Sequence, residues 1–381
     1  MRIRILGAGP AGLYFAALMK TRDPAHDIVV FERNTRAATF GFGVVFSDRA
    51  LDFLRADDEA LYQYLTPHLE SWPNITVAHN DTTIPIAGNG FTSIGRLELL
   101  TILYEYVERL GVKLVFSREI TSLGEIGEAD LVVAANGAFS WIRDANRNRF
   151  GTTVDWRANK FIWFGSTKPF DSLTLTFRET DAGVFCAHHY RYAPDRSTFL
   201  VEVTPRTWDN AGFATMSAED TIAHCERVFA HELAGGRILS NHSQWRQFPA
   251  IWNERWSFDN IVLLGDALRT AHFSIGSGTR LAMEDAVALF KAFATAGQRD
   301  TREAFALYEQ HRLPPMRKIW DAANASLRWY EDMDRLVASL SPVEFAYSYM
   351  TRTGRVDHAE VRRRDPQLAA AYEALHPGAA D

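Results

Sequence analysis

Three glycines near the N-terminus have a spacing that can hold a phosphate. Gly7, Gly9 and Gly12 directly follow an apolar strand pattern and directly precede a helical one. In this arrangement the first glycine permits a tight turn, the second lets the backbone approach a pyrophosphate, and the third lets helix and strand pack closely. The helix start also offers N–H groups and about half a positive charge to an anion. With Pro10 and Ala11 between them, these glycines predict a dinucleotide site.

Three charged residues have positions that suit the same ligand. Glu32 ends a second predicted strand, 27–31, and comes twenty positions after Gly12, as expected for an acid that binds ribose hydroxyls. We place Arg33 beside it in the site. Arg96 opens a helix predicted over 97–110 and could clamp a pyrophosphate with two parallel hydrogen bonds. An arginine that faces solvent would fit that position equally well.

A second glycine-rich region lies far along the chain. A buried strand pattern ends in Gly265 and Asp266, and the carboxyl ends of such strands are where open α/β sheets bind ligands. The Asp266 carboxylate could hydrogen-bond a polyol. A further loop precedes a helix predicted over 279–295 and could offer N–H groups to an electron-rich group; it contains Gly276, Ser277, Gly278 and Thr279. Together the two regions predict one extended dinucleotide, with its pyrophosphate at Gly9 and its ring near Gly276.

Composition limits the alternatives. The 381 residues allow about two domains, and 47% hydrophobic with 23% charged residues is typical of a globular chain. The net charge of −6 argues against nucleic acid as a partner. Cys186 and Cys225 give neither a disulfide framework nor metal-ligand spacing, so we expect no metal and a cytoplasmic location. No apolar run reaches membrane-spanning length, so we expect no membrane partner.

The predicted elements indicate an α/β fold in several segments. Residues 1–140 are typical of βαβ units with an inserted piece. From about 152 the pattern changes to β-rich runs separated by turn residues, which predicts an antiparallel sheet in its own lobe. Residues 300–375 are predicted to be mainly helical.

The two glycine-rich regions, together with Glu32, Arg96 and Asp266, resemble a known family, the single-component FAD-dependent aromatic hydroxylases typified by p-hydroxybenzoate hydroxylase. The likeness covers roughly residues 1–300. Three longer stretches resemble the subgroup that contains the salicylyl-CoA 5-hydroxylases, the flavin half of 2-aminobenzoyl-CoA monooxygenase/reductase and the tryptophan hydroxylase of violacein assembly. They are Phe40-Gly41-Phe42-Gly43-Val44-Val45-Phe46-Ser47-Asp48, Asn159-Lys160-Phe161-Ile162-Trp163-Phe164-Gly165 and His272-Phe273-Ser274-Ile275-Gly276-Ser277-Gly278-Thr279.

The resemblance implies a fold and a division of the chain. The fold would be α/β, a Rossmann-like FAD-binding domain with an inserted antiparallel β-sheet substrate domain and a helical C-terminal region. FAD-binding parts would be 1–70, 96–151 and 259–298. A β insertion would occupy 71–95, the β-rich substrate domain 152–258, and the helical region 299–381. The assembly is expected to be a monomer or a homodimer.

The resemblance also assigns residues to FAD. Arg96 is similar to the pyrophosphate arginine, Asp266 to the ribityl-binding aspartate, and Gly276 and Gly278 to the backbone donors at the flavin pyrimidine edge. The adenosine-diphosphate half would contact Gly7, Gly9, Gly12 and Glu32, and we add Val45 to the flavin site. Two positions depart from the family pattern. Asn136-Gly137 stands where relatives have the Asp-Gly that serves FAD and NAD(P)H, and Ser274 stands where many have proline.

The implied reaction is ring hydroxylation. In the family NAD(P)H reduces FAD, the reduced flavin reacts with O2 to give a C4a-hydroperoxide, and this hydroxylates an electron-rich ring inside an apolar pocket. The chain ends at 381 without a reductase domain like that of the 2-aminobenzoyl-CoA enzymes, which favours simple hydroxylation. Our first hypothesis is 5-hydroxylation of an aromatic acyl-CoA such as salicylyl-CoA. The alternatives are a hydroxylase of free tryptophan or another indole, and a non-catalytic FAD-binding protein.

Some residues could serve such a reaction directly. A base near the ring would accelerate attack, and the candidates are His272, His189, Tyr190 and His188. His188 and His189 are neighbours on one strand, so at most one of them faces the pocket. A CoA tail would need basic residues at the pocket mouth. The densest cluster is Arg143, Arg147, Arg149 and Arg157, although a solvated arginine-rich loop would have the same composition.

Two further enzyme classes fit less well. Flavin halogenases share the fold but carry a Trp-x-Trp-x-Ile-Pro segment, which this sequence lacks. An NAD-dependent dehydrogenase would need neither Gly265-Asp266 nor the second glycine-rich loop.

Overall fold

The computed structural model describes residues 1–47, 51–297 and 300–378. The strands are β1 (Arg2–Leu6), β2 (Asp27–Phe31), β3 (Gly43–Ser47), β4 (Glu70–Trp72), β5 (Ile75–His79), β6 (Thr82–Ile86), β7 (Phe91–Gly95), β8 (Lys113–Val115), β9 (Leu131–Ala134), β10 (Thr152–Ser166), β11 (Leu173–Thr180), β12 (Gly183–Ala193), β13 (Arg196–Val203), β14 (Ile238–Leu239), β15 (Arg246–Asn253), β16 (Ser257–Phe258) and β17 (Ile261–Leu263).

The helices alternate with the strands in the first half of the chain and dominate the last quarter. They are α1 (Pro10–Arg22), α2 (Asp52–Asp57), α3 (Glu59–Leu65), α4 (Arg96–Arg109), α5 (Trp141–Ala145), α6 (Arg147–Phe150), α7 (Pro205–Asn210), α8 (Ala218–Val228), α9 (Ala230–Leu233), α10 (Gly278–Ala296), α11 (Thr301–Glu331), α12 (Met333–Ser339), α13 (Pro342–Thr351), α14 (His358–Arg364) and α15 (Pro366–Leu375). Within the described residues, no helix is both long and apolar enough to cross a membrane.

A six-stranded sheet forms the first layer, in the order β16-β17-β9-β1-β2-β8. Its neighbours pair in parallel, except for the β16–β17 pair. Strand β9 is a buried apolar run and β1 buries Ile3, Ile5 and Leu6, and α1, α4 and α10 cover both strands with aliphatic and aromatic side chains in one continuous core. Because parallel strands end at the same edge, the segments after β1, β2, β9 and β17 meet there.

The second layer is an eight-stranded sheet with the path β14-β10-β13-β12-β11-β5-β6, and β15 pairs with β10. The expected antiparallel sheet is found in β10 to β15, but it is not the whole sheet. The hairpin β5–β6 from the 71–95 segment extends it, and β5 pairs with β11 in parallel. This addition covers an edge strand whose backbone N–H and C=O groups would otherwise lack partners.

The two faces of this sheet bury different partners. Alternate residues such as Phe164, Phe185 and Phe199 pack against α8 and α9 around Cys225 and Phe229. Residues between them, such as Val184 and Cys186, face the C-terminal helices. A small third sheet, β3-β7-β4, lies between the layers. Two short helices, α2 and α3, follow β3, and residues 48–50, including Asp48 of the first resemblance stretch, lie outside the described part of the chain.

Candidate active site

The predicted phosphate turn has the packing that its sequence requires. Gly7 has φ of +104°, and a Cβ there would lie 2.3 Å from the Ala135 carbonyl oxygen. A Cβ on Gly12 would lie 2.4 Å from the Gly7 carbonyl oxygen, so α1 can approach the turn only with glycine at this position. Gly9 caps α1, Pro10 is its first residue, and a Cβ on Gly9 would meet nothing within 4 Å. The space beside Gly9 is therefore open to a ligand.

Glu32 reaches back to this turn. Its Oε2 accepts a hydrogen bond from the Ala8 backbone N–H at 3.0 Å, and its Oε1 accepts from the Asn34 backbone and side-chain amides at 2.9 and 2.7 Å. The neighbouring Arg33 is exposed. The carboxylate is thus fixed at the carboxyl edge of the sheet, close to the start of α1.

Asn136 and Gly137 lie at the same edge, directly after β9. The Asn136 Oδ1 atom is buried and has no hydrogen-bond partner among the described residues. Gly137 has φ of +78°, and a Cβ there would meet no atom within 4 Å. A buried acceptor without a partner carries a free-energy penalty until a donor is supplied, so this position suits contact with a ligand.

Asp266 and Arg96 bring opposite charges to one cavity. Asp266 lies in a 3-10 turn after β17, which is tied to Arg269 through the Gly265 carbonyl. Asp266 is exposed and lines the cavity, and desolvation by the surrounding protein raises the pKa of its carboxyl, although Arg269 and Arg96 oppose the shift. Desolvation likewise lowers the pKa of Arg96, and Asp266 opposes that shift.

The three stretches that carried the family resemblance pack on one another. A Cβ on Gly165 would lie 2.5 Å from the Phe42 ring, and one on Gly41 would lie 2.9 Å from the Trp163 ring. Gly276 is equally close to β3, since its Cβ would lie 3.1 Å from a Val45 methyl. The stretches therefore form one wall, although they are remote in sequence.

This wall bounds a cavity of about 680 Å³, within the usual size range of ligand sites. Val45, Arg96, Asp266 and the segment from Gly276 to Thr279, the start of α10, line one part of it. The cavity-facing residues of the large sheet line another part: Phe161, Trp163, Leu173, Leu175, His188, Tyr190, Thr198 and Leu200. We call this second, largely apolar part the ring chamber; Phe248 and Phe273 close it.

Of the predicted base candidates, His188 and Tyr190 line the cavity. The Tyr190 hydroxyl donates to the Gly43 carbonyl at 2.9 Å, and burial raises the pKa of this phenol, so it remains protonated. His188 is 7% exposed and its Nε2 lies 3.4 Å from Oε2 of Glu202. His188 is therefore the imidazole in contact with the chamber.

His189 and His272 do not line the cavity, which corrects our expectation for them. His189 points to the opposite face of β12, where its Nε2 lies 3.0 Å from the Thr176 hydroxyl and burial lowers its pKa to about 3. The Nδ1 of His272 lies 2.8 Å from the Ser274 hydroxyl, and burial lowers its pKa to about 4. His272 thus braces the loop before Gly276, which Arg352 also holds through Ser274.

The arginines suggested for a CoA tail are also elsewhere. Arg143 is buried and donates to the Ala138 and Ala267 carbonyls. Arg147, Arg149 and Arg157 form ion pairs with nearby carboxylates. The arginines that line the cavity are Arg96, Arg246, Arg280, Arg352, Arg355 and Arg364. No carboxylate among the described residues lies within 4 Å of Arg246 or Arg355.

These features fit FAD. Gly9 follows β1, Asn136 follows β9 and Asp266 follows β17, so the open space at Gly9, the unpartnered Asn136 Oδ1 and the Asp266 end of the cavity share the carboxyl edge of the first sheet. A family of sequences described as "FAD binding domain" matches residues 1–323. This chain belongs to that family.

Individual relatives also support membership of this family. The chain is 40% identical to a salicyloyl-CoA 5-hydroxylase of Streptomyces sp, over 93% of this chain and 70% of the relative. It is 35% identical to a 3-hydroxy-4-methyl-anthranilyl-[aryl-carrier protein] 5-monooxygenase of Streptosporangium sibiricum, over 90% and 93%. It is 32% identical to the protodeoxyviolaceinate monooxygenase of Chromobacterium violaceum, over 92% and 94%.

A solved structure with the same fold is P. aeruginosa PqsL in complex with 2-aminobenzoylacetate. It has a TM-score of 0.68 and 20% identity, and the match covers 89% of this chain and 98% of that one. The predicted family resemblance is confirmed, and the protein is an FAD-dependent aromatic monooxygenase that uses NAD(P)H and O2.

Sequence analysis missed Glu202. It lies on β13 in Phe199-Leu200-Val201-Glu202-Val203, where a single acid interrupts an apolar strand, and it is 1% exposed. An acid within an apolar strand could have indicated a paired site, because a carboxylate is rarely buried without a partner.

Proposed function

We propose that this enzyme hydroxylates an electron-rich aromatic ring carried as a thioester, with salicyloyl-CoA as the first candidate and position 5 as the site of attack. The observation that carries the proposal is the ring chamber, an apolar space in the same cavity as Asp266 and the start of α10. The 40% identity to a salicyloyl-CoA 5-hydroxylase over most of both chains supports the choice of substrate.

We assign the cofactor contacts as follows. The turn at Gly7, Gly9 and Gly12 and the first turn of α1, with Pro10 and Ala11, would hold the pyrophosphate together with Arg96. Glu32, with Arg33 beside it, would bind the adenosine ribose, and Asp266 after Gly265 would bind the ribityl chain. The isoalloxazine would contact Val45, Asn136, Gly137, Gly276, Ser277, Gly278 and Thr279.

Different segments of the chain would bind FAD, bind the substrate and close the cavity. Residues 1–70, 96–151 and 259–298 would bind FAD, while 152–258, extended by strands from 71–95, would bind the substrate. The region 299–381 would close the cavity, since Tyr349, Met350 and Arg352 line it.

What bound FAD supplies, after reduction by NAD(P)H, is an electrophilic oxygen atom from O2. The protein holds the aromatic ring, excludes water and accepts the proton of a ring hydroxyl. The chamber's aromatic and aliphatic walls exclude water, and His188 is placed to accept the proton of a ring hydroxyl. Overall, ArH, O2, NAD(P)H and H⁺ give ArOH, NAD(P)⁺ and water.

The test is a substrate screen on the FAD-loaded protein. Salicyloyl-CoA, 2-aminobenzoyl-CoA, free salicylate and free tryptophan are each added with NAD(P)H, and NAD(P)H consumption, hydrogen peroxide and hydroxylated product are measured. We expect the salicyloyl thioester to raise consumption with nearly one product per NAD(P)H and little peroxide. Stimulation by free tryptophan but not by the thioesters would overturn the proposal in favour of an indole hydroxylase.

A further inference from the structure

A buried carboxylate that the proposed function leaves unused lies behind the lining of the ring chamber, next to His188. Glu202 lies on β13 beside His188 on β12, and its Oε1 accepts a hydrogen bond from the Asn159 amide at 2.8 Å. Burial alone would raise the pKa of Glu202, but contacts with His188, His272 and Asn159 more than offset this, so the pKa is lowered. A fully buried, ionised carboxylate requires a partner.

That partner is His188. The His188 Nε2 and Glu202 Oε2 atoms lie 3.4 Å apart, both are sealed from solvent, and neither has a well-aligned hydrogen bond to another described residue. Such contacts are often long before a ligand binds and tighten with it. The His188 ring lies against Tyr330 at 5.0 Å and 26°, and against Phe273 at 5.4 Å and 79°. Its orientation is therefore restricted, with Nε2 toward Glu202 and Nδ1 left for the cavity.

We propose that Glu202 is a positioning residue that makes His188 a proton acceptor for a ring hydroxyl, and that the enzyme therefore acts on phenolic rather than anilinic rings. This inference rests on the proposed function. A phenol has a pKa of about 10 and is a much stronger electron donor once its proton is removed. An aniline donates its nitrogen lone pair without losing a proton, so it needs no carboxylate-backed base.

The hydroxyl proton of the substrate stays within the site during the reaction. The phenol O–H proton moves to Nδ1 of His188, and the imidazolium keeps its Nε2 proton toward the Glu202 carboxylate. The oxygen of the new C–O bond would be the atom that bound FAD supplies from O2, and the other oxygen of O2 leaves as water. The ring C–H bond at that carbon then breaks, and its proton offsets the one taken up in forming that water. His188 then returns its own proton to the original phenolate oxygen of the product.

Other groups set the electrostatics of this pair, and the test must allow for them. His189 adjoins His188 in sequence but does not line the cavity, and it is neutral at physiological pH. The titratable or charged groups that act on His188, Glu202 or their neighbour His272 are His189, Cys186, Arg157, Tyr330 and Arg352. Substitution of Glu202 alone leaves all of them in place.

The decisive experiment titrates a bound phenol without turnover. Wild type and Glu202→Gln, both loaded with oxidised FAD and without NAD(P)H, are mixed with salicyloyl-CoA, and phenolate absorbance is followed against pH. We expect wild type to lower the midpoint of the bound phenol relative to the free ligand, and Glu202→Gln to return it toward the free value. Glutamine is nearly isosteric and keeps an acceptor for Asn159, so a folded variant is expected, and a thermal melt verifies it.

Turnover provides the second measurement. Glu202→Gln should lower kcat for salicyloyl-CoA about ten- to a hundredfold with little change in KM, as a part of the roughly 10²–10⁴-fold that a positioned base supplies. We expect wild type to turn over 2-aminobenzoyl-CoA more slowly, and Glu202→Gln should leave that rate unchanged. The exposed Glu254→Gln is the matched control and should leave the phenol midpoint and both rates unchanged.

The outcomes separate this inference from the proposed function. An unchanged phenol midpoint in Glu202→Gln, or an equal loss of rate on both thioesters, overturns the role of Glu202 while thioester hydroxylation stands. If no thioester stimulates NAD(P)H consumption, the proposed function fails. A shift in the midpoint of bound free salicylate would then still support the His188–Glu202 pair.

Discussion

Ala11 on α1 and Gly265 before Asp266 are packed against each other. A Cβ on Gly265 would lie 3.2 Å from the Ala11 Cβ, so the two glycine-rich regions form a single surface at the carboxyl edge of the sheet. Because Gly265 has φ of +62°, its turn directs Asp266 into the cavity. The two halves of the predicted dinucleotide site are therefore coupled: a change in the start of α1 would also displace Asp266.

The phosphate turn offers a matched pair of substitutions. We expect Gly12→Ala to destabilise the FAD-free protein by about 1–3 kcal/mol, because its new methyl would overlap the Gly7 carbonyl. Gly9→Ala should leave that stability nearly unchanged, since its methyl would enter open space and the backbone there is extended. The methyl should instead weaken FAD binding roughly ten- to a hundredfold by blocking the backbone approach.

Thermal melts without FAD and fluorescence titrations with FAD measure the two effects separately. Each variant serves as the control of the other. A Gly9→Ala protein that binds FAD as tightly as wild type would contradict the assignment of this turn to the pyrophosphate.

Glu32→Ala should weaken FAD binding about tenfold and also loosen the turn. The carboxylate accepts three hydrogen bonds, one from Ala8 and two from Asn34, and hydrogen bonds to charged groups contribute about 1.5–3 kcal/mol each. Calorimetric FAD titration measures the first effect, and hydrogen exchange at the Ala8 amide measures the second. Glu128→Ala, which removes only an exposed partner of Arg2, is the control. Equal FAD affinity in both variants would refute the ribose assignment.

Much of the fold follows from sequence because local patterns determine it. The buried strands, the glycine turn and the helix after Arg96 depend on neighbours within a few residues, and all are found. The parallel pairing of β5 with β11 could not be predicted, because it joins segments about a hundred positions apart through backbone bonds that no side-chain pattern encodes.

The parts of the site that backbone turns form could be predicted from the sequence. Which side chains face the cavity could not. Period-2 alternation established that only one of His188 and His189 faces the cavity, but not which one, since both are buried in apolar strands. His272 is close in sequence to the flavin loop, yet its ring turns toward Ser274. Glu202 meets His188 through a lateral strand pairing, which the sequence does not reveal.

Acid should destabilise this protein partly through His189. Its folded-state pKa of about 3 lies below the unfolded value near 6.5. Between these two pH values His189 is protonated in the unfolded chain but neutral in the folded one, so falling pH favours unfolding. Stability is therefore lost on the way down from pH 6.5. We expect His189→Gln to reduce the slope of unfolding free energy between pH 6 and 4 by about 1 kcal/mol per pH unit.

Urea unfolding at several pH values measures that slope. The absolute stability of His189→Gln will also fall, because the ring packs between Phe170 and Phe199, so only the pH dependence is diagnostic. His311→Gln, at an exposed position, should keep the wild-type slope. An unchanged slope in His189→Gln would show that this imidazole titrates normally in the folded protein.

The cavity arginines should interact with a phosphate-bearing carrier, whereas the Arg147 cluster should not. Arg246 and Arg355 line the cavity, are exposed, and have no carboxylate within 4 Å in the described part of the chain. Arg147 already pairs with Asp144 and lies away from the cavity lining. We expect Arg355→Gln or Arg246→Gln to raise KM for salicyloyl-CoA about three- to tenfold with kcat unchanged, because an exposed ion pair contributes up to about 1 kcal/mol.

Three comparisons make this prediction specific. Salicyloyl-pantetheine, which lacks the CoA phosphates, should show no such change in KM. High salt should raise the wild-type KM toward that of the variant, since it screens exposed charges. Arg147→Gln should behave as wild type. If Arg147→Gln raised KM while both cavity variants did not, the carrier would bind over the arginine-rich segment after all, and the cavity rim would have no part in recognising it.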